Sequence, residues 1–357
     1  MKKYFLAVAS FFIYSHISLG QVYPGQMDST FVPVRSHHYD PELTFDFCVN
    51  EPAWSNQAGI HSAFGSTDRL YFRKEVPVNH DNDLSSSYST TVWRGERANA
   101  QILVWSSEAL EQVRVSTQDL RSAEGNIIPK DRITFELVRY VLSNYPYAEK
   151  KAICGESPYK SGFLMPDRFE TLDRFDLPSQ TTRPVWMLVD VPRGTAPGTY
   201  KGKVEVRAKG KAPQLLNLEI VVQNQLLPYP KDWKYRLDLW QNPWAVAWYN
   251  HVEPWSPQHK MLLKQHLKHY ADAGGTYITT YGVHSPWSDN SYMIEGGMIE
   301  WIKKADGTWA FDYKIFDEYV ELAMECGIDE AITLYTPIPW GFRHRYKDEA
   351  TGDYSYI

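Results

Sequence analysis

Two hydrophobic rhythms divide this chain. From residue 21 to residue 228 apolar and polar positions alternate in short runs. The runs are RLYFRKE (69–75), AQILVWS (100–106), QVRVSTQ (112–118), TFELVRYVL (134–142), PVWMLVDV (184–191), TYKGKVEVRA (199–208) and LLNLEIVVQN (215–224). A period of two places every second side chain on one face, which is the pattern of a strand with one buried side. Turn residues punctuate the runs, as in PRGTAPG (192–198), and the polar stretch 76–92 reads as a loop. Many short strands with little helix predict an antiparallel β-sandwich over residues 21–228. The stiff LLPYP (226–230) marks the junction to a second domain, 229–357.

Beyond that junction the rhythm changes to a helical one. Ser256 followed by Pro257 is an N-cap with proline at the first helical position, and Gly274 closes the predicted helix. Leu263, Leu267, Tyr270 and Ala271 keep one of its faces apolar. A second helix begins after Asp312, carries Phe316, Tyr319, Val320, Ala323 and Met324 on one stripe, and stops at Gly327. Around these helices three strand-like segments run into aromatic and polar residues: 235–249, 276–287 and 331–340. Strand alternating with helix is the grammar of a parallel sheet. The fold class expected is therefore β followed by α/β: a sandwich, then an incomplete TIM-type (β/α)8 barrel of about three strand–helix repeats. In an insertion after the second strand, KKADGTWAFDY (303–313) predicts a hairpin turning at Asp306-Gly307.

Active sites of such barrels form where strands end. The residues leaving the three strands are Trp240, Gln241 and Asn242; Tyr281 and His284 with Trp287; and Tyr335 with Trp340. Aromatic faces beside amides and hydroxyls suit a sugar, whose C–H faces stack and whose hydroxyls are read by polar groups. Nine of the 13 tryptophans lie between Trp233 and Trp340, so the aromatic surplus belongs to this half, either as core or as pocket lining.

Charge narrows the class of partner. With 37 basic and 43 acidic residues and no long basic run, nucleic acid is not an expected partner. Arg343-His344-Arg345 is a small basic cluster that reads as solvated surface. Residues 1–20 have the form of a secretory signal: Lys2-Lys3, the apolar FLAVASFFIY, then Ser18-Leu19-Gly20 before Gln21. Its apolar run is too short to span a bilayer comfortably. The mature chain is thus expected to be exported, periplasmic or extracellular, with no membrane insertion after cleavage. Of three cysteines, Cys48 and Cys154 are placed to allow one bridge, whereas Cys326 falls on the apolar side of a helix and reads as a small buried hydrophobe. No Cys/His spacing suggests zinc, and no cofactor is expected.

Several phrases carry a family resemblance: RGERANAQILVWS (94–106), DVPRGTAPGTYKGKVEV (190–206), LDLWQNPWAVAWY (237–249), WSPQH (255–259), DGTWAFDYKIFDEYVELAMECGI (306–328) and IPWGFRHRY (338–346). They resemble glycoside hydrolase family 123, the β-N-acetylgalactosaminidases and their relatives among exported proteins of the Bacteroidota. The resemblance implies a sandwich followed by a (β/α)8 barrel, and a glycan ending in β-linked N-acetylhexosamine, N-acetylgalactosamine above all, as substrate. It also implies substrate-assisted catalysis, an exception to the two-carboxylate scheme. The sugar's acetamido oxygen attacks its own anomeric carbon, an Asp orients that amide and an adjacent Glu protonates the leaving oxygen.

Two adjacent acidic pairs invite that role. Asp329-Glu330 sits between the end of a helix and the start of a strand, which places it on the wrong face of a barrel. Asp348-Glu349, in KDEATGD, reads as a solvated turn. The expectation is therefore that residues 1–357 lack the catalytic pair and that it lies beyond Ile357. A non-catalytic carbohydrate-binding or structural remnant is the competing reading.

Overall fold

The structure is a computed structural model and describes residues 6–7, 51–77, 84–143, 163–171, 173–284, 297–335, 337–338 and 342–357. It separates into two compact units, 38–227 and 228–357, the second joined by residues 1–37. Cys48 and Cys154, with the proposed signal cleavage site, lie outside the described residues.

In the first unit one sheet has five strands, in the order His61–Gly65, Arg97–Ser106, Thr181–Asp190, Ile133–Ser143 and Phe163–Thr171, all antiparallel. The other follows the path Phe175–Leu177, Leu110–Thr117, Gly198–Arg207, Gln214–Leu226 and Ser87–Arg94, with two short strands, Leu120–Arg121 and Ile127–Ile128, attached at its side. Inward side chains of both sheets meet in one core, among them Ile102, Val104, Met187, Val204 and Ile220. Each is essentially fully buried, and alternation within strands such as Gly198–Arg207 turns the charged residues outward. Two readings of the sequence need correction. RLYFRKE (69–75) is not a strand but turns and irregular chain; its place beside Arg97–Ser106 is taken by His61–Gly65. The polar stretch 76–92 is not wholly loop, because Ser87–Arg94 is a strand that pairs in parallel with Gln214–Leu226, so the sheet is not purely antiparallel. Its hydroxyl-rich SYSTTV lacks apolar alternation, yet its threonines and Val92 are β-branched and it lies at the sheet edge with only Val92 buried.

The second unit contains helices Pro243–Asn250, Pro257–Asp272 and Lys314–Glu325 and the parallel strands Tyr277–Thr280 and Ala331–Leu334. The chain passes from the strand Tyr277–Thr280 through the helix Lys314–Glu325 to the parallel strand Ala331–Leu334, as the strand–helix pattern predicts. Ser256 caps its helix by accepting the His259 N–H at 3.2 Å. One apolar core joins Leu263 and Leu267 to Ile278, Val320, Ala323 and Cys326, which is a buried free thiol. Gly274, at φ +90°, and Gly275 end this helix. A Cβ on Gly275 would lie 2.3 Å from the Tyr270 ring, so only glycine admits that ring.

The predicted first strand is a correction too. Residues 235–239 make only one isolated parallel bridge, Leu237 with Gly275. Asn242-Pro243 starts a helix immediately afterwards: the Asn242 Oδ1 accepts the Ala245 N–H at 3.1 Å and Pro243 takes the first helical position. The free edge of Ala331–Leu334 pairs in parallel with Leu6–Ala7. A separate four-stranded sheet has the order Trp309–Asp312, Glu300–Lys303, Arg345–Asp348 and Tyr354–Tyr356. Its first two strands form the expected hairpin, with Gly307 at φ +84° and the Asp306 Oδ1 accepting the Thr308 N–H at 2.9 Å. KDEATGD is the turn of a second hairpin, since Arg345–Asp348 and Tyr354–Tyr356 are antiparallel.

Candidate glycan-binding site

The C-terminal ends of the two parallel strands converge on residues 238–242. The Asp238 carboxylate accepts the Thr279 hydroxyl at 3.1 Å and the Thr333 hydroxyl at 2.9 Å, one oxygen to each strand. It thereby ties the LDLWQN segment to both strands by hydrogen bonds to a carboxylate. Gln241 adds two ties: its Oε1 accepts the Thr279 N–H at 3.2 Å and its backbone carbonyl accepts the Tyr281 hydroxyl at 2.8 Å. Tyr270 completes the support from below. Its hydroxyl lies 2.7 Å from the Leu237 carbonyl and 2.9 Å from the Tyr277 carbonyl, and it accepts the Leu239 N–H at 3.3 Å.

Aromatic rings run outward from this anchor. Trp240 lies 4.8 Å from Tyr335, Tyr335 lies 6.0 Å from Tyr281, and Tyr281 lies 6.0 Å from Trp244. Trp244 continues to Trp255 at 5.8 Å, and Trp255 to Tyr319 at 5.9 Å. Edge and tilted packing of this kind holds rings rigidly. Tyr281 and Tyr335 are almost fully buried, but Trp240 is 46% exposed. One indole is therefore presented to solvent on a fixed aromatic footing. Burial, with the neighbouring Tyr335 second, holds the Tyr281 phenol far above its usual range, so it stays a neutral donor to Gln241.

The residues predicted from the sequence divide by role. Trp240, Gln241, Tyr281 and Tyr335 are brought together. Asn242 is occupied in capping its helix. His284 follows the second strand at Tyr277–Thr280, and burial together with the nearby His344 depresses its pKa. Trp287 and Trp340 lie outside the described residues. The basic cluster lies at the surface beside rings: the exposed Arg343 lies over Tyr356, Arg345 over Tyr354, and His344 stacks on Trp301 at 5.1 Å.

Asp329 and Glu330 fall at the opposite, N-terminal end of the strands. The Glu330 N–H donates to Thr276 and its carboxylate meets Arg236 at 3.3 Å. Glu349 is tied to the first hairpin, accepting from Lys304 Nζ at 3.2 Å and from the Ala305 N–H at 3.3 Å. Neither pair stands beside Trp240. Among the described residues no group of His, Cys, Asp and Glu is arranged to hold a metal ion, and no helix is long and apolar enough to cross a membrane.

Sequence reasoning passed over three features. Asp238 was hidden because an acid inside a strand-like LDL reads as the polar half of an alternation. The helix Pro243–Asn250 was signalled by Asn-Pro but masked by its aromatic content. His259 is fully buried, accepting the Trp255 N–H at Nδ1 (2.8 Å) and facing the Pro243 carbonyl with Nε2 (2.8 Å); its desolvation lowers its pKa.

Comparison with known proteins bears on both units. The family model of the glycoside hydrolase 123 N-terminal domain matches residues 64–208, and that of the glycoside hydrolase 123 catalytic domain matches residues 240–357. Among solved structures, a family 123 glycoside hydrolase from Clostridium perfringens, described for hydrolysis of glycolipid glycans, superposes with a TM-score of 0.72 at 24% identity. The match covers 84% of this chain and 52% of that one. The chain thus spans about half the length of that enzyme. A PapD-like domain of human CEP192 covers 52% of the chain at 12% identity, and the periplasmic chaperone SfaE covers 41% at 11%. These take in 99% and 59% of those chains, with TM-scores of 0.22 and 0.21, too low to bear on the fold. No curated protein matches the sequence. Two adjoining family models, which together take in well over half of the residues, and a shared fold place this chain in glycoside hydrolase family 123.

Proposed function

We propose that this chain is the glycan-recognising part of an exported β-N-acetylhexosaminidase, acting on terminal N-acetylgalactosamine by substrate-assisted catalysis. The observation that carries the reading is the Trp240–Tyr335 pair, with Trp240 exposed, held beside Asp238 and Gln241 at the C-terminal ends of parallel strands. An exposed ring stacks on a sugar face, and neighbouring amide and carboxylate groups read its hydroxyls. The two parallel strands with their helices form the first part of a (β/α)8 barrel, whose substrate site lies on this face. On this reading the acid–stabiliser pair is neither Asp329-Glu330, which stands at the far end of the strands, nor Asp348-Glu349, where Lys304 engages Glu349. The chain alone is then expected to bind the glycan without cleaving it. Lys2-Lys3 and the apolar stretch behind them support export.

The test is a ligand-observed NMR titration of the 357-residue chain with methyl β-N-acetylgalactosaminide. Saturable binding that weakens by about tenfold in Trp240→Ala, a loss of about 1.4 kcal/mol, is expected. Binding indifferent to Trp240→Ala and to Gln241→Ala would overturn the reading.

A further inference from the structure

A cavity of about 480 Å³ opens within the second unit, between the N-terminal ends of the helices Pro257–Asp272 and Lys314–Glu325 and the four-stranded sheet. Its size lies in the range that encloses small ligands, about 300–1,000 Å³. It shares no lining residue with the Trp240–Tyr335–Tyr281 group. Trp255, Trp301, Tyr346 and Tyr354 give it aromatic walls from three different parts of the chain. These rings are fixed. Trp301 packs edge-on with Trp309 and Phe311 at 6.0 and 5.2 Å and stacks with His344 at 5.1 Å. Trp255 is held with its backbone at φ +64° by its N–H bond to His259. A tryptophan in that region is strained, and such strain persists only where the surroundings enforce it.

The polar lining is balanced. Glu300, Asp312 and Glu318 oppose Lys260, Lys314 and Arg345. Several of these charges are already answered within the wall: Lys260 meets Glu318 at 3.3 Å, and Glu300 accepts the Tyr354 hydroxyl. A cavity lined by equal numbers of positive and negative side chains carries no net charge to favour an anion or a cation. It offers acceptors and donors side by side, between aromatic faces. A neutral polyhydroxylated ring requires that combination, because each hydroxyl both donates and accepts while its C–H face stacks.

We propose that this cavity is a second carbohydrate site, taking a neutral sugar ring of a glycan. Its relevance to the substrate rests on the family 123 reading above, and the test separates the two. The chain carrying Trp240→Ala is titrated by ligand-observed NMR with lactose, methyl β-N-acetylgalactosaminide and N-acetylgalactosamine 4-sulfate. At least one neutral sugar is expected to keep saturable binding in that background. The binding should weaken by about tenfold when Trp301→Ala is added, the size of one lost stacking contact with its share of enclosed area. Should Trp301→Ala fail to fold, Glu318→Gln and Asp312→Asn, which leave the rings in place, are each expected to weaken it measurably. The sulfated sugar should bind more weakly than its neutral counterpart. No binding in the Trp240→Ala chain, binding untouched by all three cavity variants, or preference for the sulfated sugar would overturn the proposal. The Trp240 site fails separately, when binding by the unaltered chain does not depend on Trp240.

Discussion

The two units use the same vocabulary of β-branched and aromatic residues to different ends. In residues 38–227 both neighbours of the central strands are supplied by the unit itself: Thr181–Asp190 lies between Arg97–Ser106 and Ile133–Ser143, over a core shared by two sheets. In residues 228–357 the parallel pair is four residues long, and among the described residues the outer edge of Ala331–Leu334 is met only by Leu6–Ala7. Both units expose some rings, Trp93 at 40% in the first and Trp240 at 46% in the second, but of the two only Trp240 stands at the C-terminal ends of parallel strands. A strand bundle whose central strands find both neighbours within the unit becomes a scaffold. One whose strand ends are left open presents chemistry.

The largest expected effect lies in the scaffold. Leu103→Ala removes a fully buried side chain from the central sheet and should cost about 2–5 kcal/mol of the first unit's stability in urea denaturation. A segment of residues 21–228 should show its own cooperative transition, and a gradual one would break the comparison. Next, Tyr270→Phe strips the hydroxyl that faces Leu237 and Tyr277 and leaves the Leu239 N–H without it. A loss of about 1–3 kcal/mol confined to the second unit is expected.

How much of this was legible depends on whether a signal was local. Ser256-Pro257, Gly274 and Asp306-Gly307 specify caps and turns through their own backbone chemistry, and each appears where the sequence places it. Tertiary context decided the rest. Ser87–Arg94 becomes a strand because Gln214–Leu226 offers it a ladder, and RLYFRKE is left out because His61–Gly65 holds that position. Asp238 acquires a role only when Thr279 and Thr333, 41 and 95 residues away, arrive beside it. The cavity between the hairpins and the helices has no sequence signature, since its lining is drawn from four separate stretches.

A smaller effect sharpens the contrast of edges. Removal of residues 1–20 uncovers the outer edge of Ala331–Leu334, whose partner is Leu6–Ala7. Segment-resolved hydrogen exchange should then find 331–334 less protected than in the full chain, with 198–207 unchanged. Equal protection in both chains would mean that the edge needs no partner.

The smallest effect concerns acid. Burial depresses the pKa of His259, and of His284 with help from His344. For a group whose folded pKa is lowered, the unfolded chain binds more protons once the pH drops below the ordinary histidine value of about 6.5. The stabilisation is thus present above that value and is lost as pH falls below it. Thermal melts between pH 7 and pH 5 should show the second unit weakening, and His259→Gln should flatten part of the trend.

The most direct test of the whole account measures turnover and binding on one sample. The 357-residue chain is incubated with an aryl β-N-acetylgalactosaminide while its affinity for the methyl glycoside is determined by NMR. The account predicts Trp240-dependent binding with no release of the aryl alcohol. Hydrolysis that vanishes in Asp329→Asn or Glu330→Gln would contradict it, placing the catalytic pair at the N-terminal end of the parallel strands.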